Sequence, residues 1–345
     1  MRQLGVRRFS WKAMIMFSVF IIVLPFLLSS SFYLTKATFA GIYTIIAVGL
    51  GLLMGFAGQI SLGQAAFYGI GAYSTAVLST TYGMSPWLTL FISLSAPALI
   101  AYILGHTMAR LHGYYLAMAT LAFGIIIHVL LVEWKTVTKG ASGFFGIPKI
   151  ELFGFTFRQG LSYYYLVWFF ALVVIFISLN LIHSRIGRAL RSIHDSEIAA
   201  SSLGVNTGRY KMQVFIISSM FAGLAGWLFA HMSYSISPGS FGLNGSILVL
   251  TMVVLGGATS VWGGVWGALL ITVMSMVVHS LGEQIAFITS DFEQVLYGFI
   301  MMLVIIFLPK GLVPTFTSKV KRMLEHPRSG KKDQNLSKKK GEQIV

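Results

Sequence analysis

Long apolar runs dominate this chain and restrict it to a membrane fold. Of its 345 residues, 56% are hydrophobic and only 10% are charged, whereas soluble domains carry roughly 25% charged residues. A helix needs about 20 apolar residues to cross the hydrocarbon core, and ten segments approach that length. They are residues 13–34, 38–54, 60–80, 87–108, 114–133, 161–182, 212–234, 244–258, 263–281 and 292–308. The pattern predicts an all-α polytopic membrane protein with about ten transmembrane helices.

The distribution of charge predicts how the chain is oriented. Threading the ten spans with the N-terminus inside places twenty of the 25 basic residues, but only five of the ten acidic residues, on the cytoplasmic side. This excess follows the positive-inside rule, so we expect a cell-membrane protein with both termini in the cytoplasm. Residues 1–320 are predicted to form one permease domain. The basic segment 321–345 is interpreted as a disordered tail that binds membrane lipid rather than nucleic acid.

The predicted membrane interior holds none of the groups that an enzyme or an ion-coupled transporter needs. All ten carboxylates lie in loops or at span ends, and no Lys or Arg lies within a span. Ion-coupled transporters generally bury an ionisable group in the membrane. The sequence has no cysteine, no nucleotide-binding glycine motif and no zinc-protease motif. We therefore expect no metal, no cofactor and no enzymatic activity, so energy for uphill transport would come from another subunit.

Two glycine-rich stretches, 49–73 and 256–267, break the pattern of plain apolar spans. Span 244–258 is only about 22 Å long, and non-helical backbone at membrane depth must be buried in protein or line a cavity. Paired breaks of this kind in two halves indicate a transport pathway, although the two stretches correspond only roughly. The predicted pathway residues are Gln59, Ser61, Gln64 and Tyr68. The predicted helix-break glycines are Gly55, Gly58, Gly63, Gly256, Gly257, Gly263 and Gly267; alternatively, they are close-packing positions between helices.

The ten predicted spans divide into five before the polar 134–160 loop and five after it, which makes the two halves inverted. A second polar segment, residues 183–211, follows the sixth span. Within it, Asp195, Ser196 and Glu197 supply a cap and acidic charge for a short helix, and Gly204 ends that helix. Its small apolar face comprises Ile198, Ala199, Ala200 and Leu203. So short a helix is marginal in water, so we expect it to dock on the protein or on a partner. The alternative is an ordinary connector.

Several motifs are similar to one family of permeases. Residues 187–193 (GRALRSI) and 197–205 (EIAASSLGV) resemble the coupling loop of branched-chain amino acid ABC transporter permeases, specifically the LivM-like subunit. The segments 55–67, 113–121, 256–267 and 297–312 resemble further family motifs in the same order. Departures are Lys139, Gly264 and Gln64, which stand where the family commonly has Gly, Pro and His.

The resemblance implies a type II-like ABC importer permease with inverted five-helix halves, which forms half of a pathway for branched-chain amino acids. Its partners would be a sister permease (LivH-like) or a second copy, two cytoplasmic subunits that bind ATP, and an extracytoplasmic solute-binding protein. The ATPase-coupling residues would be Arg188, Arg191, Asp195, Glu197, Ala199, Ala200, Leu203 and Gly204. The alternatives are a permease for urea, short amides or another small polar solute, and a stand-alone channel or facilitator.

Overall fold

The computed structural model of the protein describes residues 11–27, 30–108, 111, 113–152, 154–282, 290–307, 311–313 and 315. The helices are α1 Trp11–Leu27, α2 Ser31–Ala57, α3 Gln64–Thr80, α4 Pro86–Met108, α5 Tyr114–Glu133, α6 Lys135–Thr138, α7 Leu161–His183, α8 Arg185–Asp195, α9 Glu197–Ser202, α10 Thr207–Ser233, α11 Leu243–Gly256, α12 Val261–Gly282 and α13 Ser290–Phe307. Strand β1 (Phe144–Phe145) pairs antiparallel with β4 (Ser235–Ile236), and β2 (Ile150–Leu152) pairs with β3 (Phe155–Phe157). The predicted tail, 321–345, lies outside the described residues.

The prediction of an all-helical membrane protein is confirmed. Among the described residues, six helices are long and apolar enough to cross a membrane: α2, α4, α5, α7, α10 and α12. Helices α1 and α11 are apolar but shorter. The count of ten spans stays a prediction.

Three helices begin at residues other than the starts of the predicted spans. Helix α2 begins at Ser31, inside the predicted span 13–34, because the Ser30 hydroxyl caps it by accepting a hydrogen bond from the Phe32 N–H at 3.3 Å. Helix α3 begins at Gln64 rather than 60, after a non-helical segment. Helix α10 begins at Thr207 rather than 212, because a charged first turn continues the helix beyond the apolar run.

Helices α2 and α10 form the centre of the protein. Each has 27 residues and is therefore about 40 Å long, and most residues of both are buried. Helix α2 packs on α7, α10, α11 and α12, whereas α10 packs on α2, α3 and α4. Buried aromatic side chains join the helices through backbone oxygens: the Tyr163 hydroxyl donates to Leu228 O at 2.6 Å, and Trp168 Nε1 donates to Ala37 O at 3.2 Å.

The packing pairs helices α2–α5 with helices α10–α13. Helix α3 packs on α4 as α11 packs on α12, and α5 contacts α3 as α13 contacts α11. Each central helix also packs on the opposite set of helices. Helix α10 packs on α3 and α4, and helix α2 packs on α11 and α12. In this correspondence, α2 matches α10 and α3 matches α11.

Four of the seven predicted helix-break glycines lie at helix ends. Gly58 follows α2 and adopts a left-handed φ of 65° that favours glycine, and its N–H bonds Leu53 O as the C-cap. Gly63 directly precedes α3, Gly256 is the last residue of α11, and Gly257 caps it.

The other three, Gly55, Gly263 and Gly267, do not break a helix. Helix α2 runs through Gly55, and α12 runs through Gly263 and Gly267. Each lets two backbones approach, because a Cβ at Gly55 would overlap the Ala258 carbonyl oxygen and a Cβ at Gly267 would overlap that of Met252. Their role in the fold is therefore close packing between helices.

This packing predicts that two similar substitutions differ in their effect on stability. Gly267→Ala should lower the unfolding free energy by about 1–3 kcal/mol, because the added methyl group forces α11 and α12 apart. Gly51→Ala, also inside a helix, should be neutral or stabilising, since no atom lies within 4 Å of its Cβ position. Thermal unfolding of the purified protein in detergent measures both. Equal midpoints for the two variants would contradict the packing role of Gly267.

Candidate functional site

Two segments outside the α-helices, 58–63 and 234–242, lead into the matched helices α3 and α11. The second contains β4 and a 3₁₀ helix at Pro238–Phe241. Helix α3 has 17 residues and α11 has 14, so they are about 26 Å and 21 Å long, both shorter than the hydrocarbon core of roughly 30 Å. Their first turns touch, because the Ala65 N–H donates to Ser246 Oγ at 3.2 Å. The two helices therefore start beside one another.

The helix starts lie deep in the protein. Gln64, the first residue of α3, donates from Nε2 to Ser218 Oγ of α10 at 2.9 Å, and both side chains are buried. Ser218 lies about 16 Å from the N-terminal end of α10, a helix of about 40 Å. This level is close to the middle of the membrane when α10 spans it.

A cavity of about 240 Å³ opens between α2, α3, α10 and α11 at these helix starts. It is lined by Tyr43, Ile46, Ala65, Tyr68, Phe229, Ser240, Gly245, Leu248 and Val249. The wall is mostly apolar, with three hydroxyl-bearing side chains and no charged residue. Pockets for drug-sized ligands measure roughly 300–1,000 Å³, so this cavity suits one small solute without fixed net charge.

Of the four predicted pathway residues, only Tyr68 lines the cavity. Its ring centroid lies 5.5 Å from that of Phe229 and 5.1 Å from that of Phe241. Gln59, Ser61 and Gln64 are buried in and beside the 58–63 segment. The structure therefore brings these three together as the entry to α3 rather than as cavity lining.

The segment 234–242 contributes a cavity residue, Ser240, that the sequence did not indicate. The second glycine-rich stretch, 256–267, forms the turn between α11 and α12, so it is not the counterpart of 58–63. That counterpart is 234–242, which lacks a run of glycines. The only sequence signal was the turn-forming Ser-Pro-Gly-Ser at 237–240.

The 134–160 loop fixes the segment 234–242 in place. Strand β1 of the loop pairs with β4, and the Ile147 N–H donates to Tyr234 O at 3.2 Å. Nδ1 of His231 lies 2.7 Å from the Pro148 carbonyl oxygen. Lys139 has a left-handed φ of 61°. Glycine adopts this backbone conformation most easily, which explains why glycine is common at this position in the similar family.

At the opposite end of the protein, helices α8 and α9 form a second candidate site, here called the α8–α9 unit. The sequence predicted one helix from Glu197 to Gly204, but the structure contains two, because Asp195 ends α8 instead of starting the next helix. Ser196 caps α9 by accepting the Ala199 N–H at 3.3 Å. Gly204, with φ of 81°, ends α9.

The α8–α9 unit is attached to the ends of both central helices. Lys211 of α10, with a side chain 7% exposed, forms an ion pair with Glu197 of α9. Arg191 of α8 donates to Ile182 O at 2.9 Å, and its guanidinium lies 6.0 Å from the Phe56 ring centroid of α2. A displacement of the unit would therefore act on α2 and α10, which line the cavity. Lys211 was not among the predicted coupling residues.

The predicted apolar face of the α8–α9 unit points outward. Ile198 is 82% exposed and Leu203 is 83% exposed, whereas Ala200 is buried. Arg188 and Ala199 are exposed as well. The unit thus presents two large aliphatic side chains on a short helix whose other face is anchored to the protein.

Comparison with known proteins identifies relatives along most of the chain. The family model described as "Branched-chain amino acid transport system / permease component" matches residues 32–305. LivM of Escherichia coli (strain K12), a high-affinity branched-chain amino acid transport system permease protein, is 35% identical over 81% of this chain and 69% of its own length. LivH of Salmonella typhimurium (strain LT2), which carries the same description, is 24% identical over 80% of this chain and 92% of its own. No solved structure matches.

The ion pair predicts unequal effects of two substitutions that each remove one charge. Glu197→Gln should cost about 3 kcal/mol of unfolding free energy, because it leaves the Lys211 ammonium buried without its counter-charge. Lys211→Met should cost less, since it removes the buried charge and the Glu197 side chain is 28% exposed to water. Thermal unfolding in detergent distinguishes them. An equal loss, or a larger loss for Lys211→Met, would contradict this assignment.

Proposed function

This chain belongs to the family of branched-chain amino acid transport permeases, and we propose that it forms one half of the membrane pathway of an ABC importer for those amino acids. Family membership makes it a multi-pass membrane transport subunit of such an importer. The substrate is inferred from the relatives LivM and LivH, both of which are described as branched-chain amino acid transport permeases.

The proposed architecture is type II-like, with ten spans in two inverted halves. The halves are α1–α5 and α7 with α10–α13, in one permease domain with both termini in the cytoplasm. The packing correspondence between the two sets of helices supports the halves, and the basic residues on the predicted inner side support the orientation. The relatives include both LivM and LivH permeases, which supports a sister permease as partner.

We further propose that the α8–α9 unit is the attachment point for an ATPase subunit. The observation that carries this role is the exposure of Ile198 and Leu203 on a helix that the Glu197–Lys211 ion pair holds to α10. Burying a Leu or Ile side chain against a partner removes apolar surface from water, which contributes about 1.5–3 kcal/mol for each side chain. Closure of the ATPase pair on ATP would then displace α9, and with it the ends of α10 and α2.

The cavity supports a zwitterionic solute with an aliphatic side chain. Its lining carries no fixed charge, so binding a zwitterion, which has no net charge, leaves no net charge in the cavity. Ile46, Leu248 and Val249 offer an apolar wall, and Tyr43, Tyr68 and Ser240 offer hydroxyls. An extracytoplasmic binding protein would deliver the solute.

The coupling proposal predicts the effect of a charge on the exposed face of α9. In proteoliposomes containing the sister permease and the ATPases, Leu203→Asp should reduce ATP-driven leucine uptake at least about tenfold, because the interface loses about 2 kcal/mol of apolar burial. Leu203→Met, which keeps the apolar contact, should retain uptake. Normal uptake by Leu203→Asp would instead favour a stand-alone facilitator.

The substrate proposal predicts which binding protein stimulates ATP hydrolysis. A leucine-loaded binding protein should stimulate the reconstituted importer, whereas urea-loaded or ribose-loaded binding proteins should not. Stimulation by the urea-loaded protein alone would contradict the assignment and identify a urea permease.

A further inference from the structure

The starts of α3 and α11 are the most unusual feature of the cavity. Both are preceded by glycine, Gly63 and Gly242, and neither helix has a side-chain cap. The first turn of a helix carries partial positive charge. The Ala65 N–H already donates to Ser246 Oγ and the Gly245 N–H to Gly242 O, so the helix starts attract an anion through this charge rather than through these two N–H groups. The cavity contacts both first turns, at Ala65 of α3 and at Gly245 of α11.

Tyr68 provides an independent sign of a ligand at the same place. Its side chain lines the cavity although the residue is only 7% exposed. Within the described part of the chain its hydroxyl forms no hydrogen bond, although buried polar groups in proteins are normally hydrogen-bonded. A largely buried tyrosine in the cavity wall, whose hydroxyl has no hydrogen-bond partner among the described residues, is a suitable donor to an anionic group.

The remaining wall of the cavity has the opposite character. Ile46 of α2, Phe229 of α10, and Leu248 and Val249 of α11 surround it with aliphatic and aromatic carbon. Burial of a short aliphatic side chain against such a wall contributes about 0.8 kcal/mol for each CH₂ group removed from water. Thus one end of the cavity favours a negative charge, and another favours a branched hydrocarbon group.

We propose that this cavity binds one solute molecule by its carboxylate and its aliphatic side chain. The carboxylate lies at the starts of α3 and α11 and accepts a hydrogen bond from the Tyr68 hydroxyl, while the side chain contacts Ile46, Leu248 and Val249. The choice of leucine as the solute rests on the proposed function. The lining residues lie on α2, α3, α10 and α11 and on the segment before α11, so the site is placed between the two sets of helices.

Protection of an engineered cysteine tests the site directly, because the chain has no cysteine of its own. Ser240→Cys places a thiol at the exposed edge of the cavity. In the reconstituted permease–ATPase complex, free leucine at ten times its half-protecting concentration should slow methanethiosulfonate labelling of this chain about tenfold. Leucinol, which lacks the carboxylate, should protect only at much higher concentration. The matched control Ser85→Cys, on an exposed turn outside the cavity, should be labelled at the same rate with and without leucine.

A second variant tests the role of Tyr68 without changing the size of the cavity. Adding Tyr68→Phe to Ser240→Cys should raise the half-protecting leucine concentration about tenfold, the usual consequence of losing one hydrogen bond to a charged group. It should leave the value for leucinol nearly unchanged.

The outcomes separate this inference from the proposed function. Equal protection by leucine and leucinol, or no protection while the wild-type complex still imports leucine, overturns the carboxylate site alone. Protection by leucine in a complex that shows no ATP-driven uptake upholds the site and overturns the importer assignment.

Discussion

Backbone polar groups inside a membrane must find hydrogen-bond partners within the protein. The cavity depends on how the segments 58–63 and 234–242 meet that requirement. In segment 58–63, the Leu62 N–H donates to Thr120 Oγ1 at 3.0 Å, and the Ala65 N–H that follows donates to Ser246 Oγ. The side-chain hydroxyls of Thr120 in α5 and Ser246 in α11 therefore accept hydrogen bonds from backbone N–H groups that have no helical carbonyl partner. Because these bonds are satisfied, α3 and α11 can start in the interior and leave a cavity between them.

The same arrangement connects the cavity to both ends of the protein. The 134–160 loop holds the segment before α11 through the pairing of β1 with β4. The α8–α9 unit holds the opposite ends of α10 and α2 through Lys211 and Arg191. The central helices thus connect the 134–160 loop and the α8–α9 unit to the cavity.

The sequence predicted the helical fold and most helix positions, but not every helix end or cavity residue. Helix α5 occupies the predicted residues 114–133, because an isolated apolar run with a glycine before it has clear ends. The start of helix α2 was not predicted, because hydropathy does not register a serine cap at Ser30. Ser240 was not predicted, since its segment acquires its role only by packing against α3. The sequence predicted that Ile198 and Leu203 form an apolar face. It did not predict which way that face points, because this depends on the Glu197–Lys211 contact between two different helices.

The central claim is that energy enters at α9 and reaches the cavity through α10 and α2. Electron cryo-microscopy of the assembled importer, with and without bound nucleotide, measures this directly. We expect Ile198 and Leu203 to be buried against an ATPase subunit in both states, and α10 to shift together with α9 so that the cavity changes its access. Ile198 and Leu203 exposed to water in the assembled complex, or α9 moving while α10 and α2 keep their positions, would contradict the account.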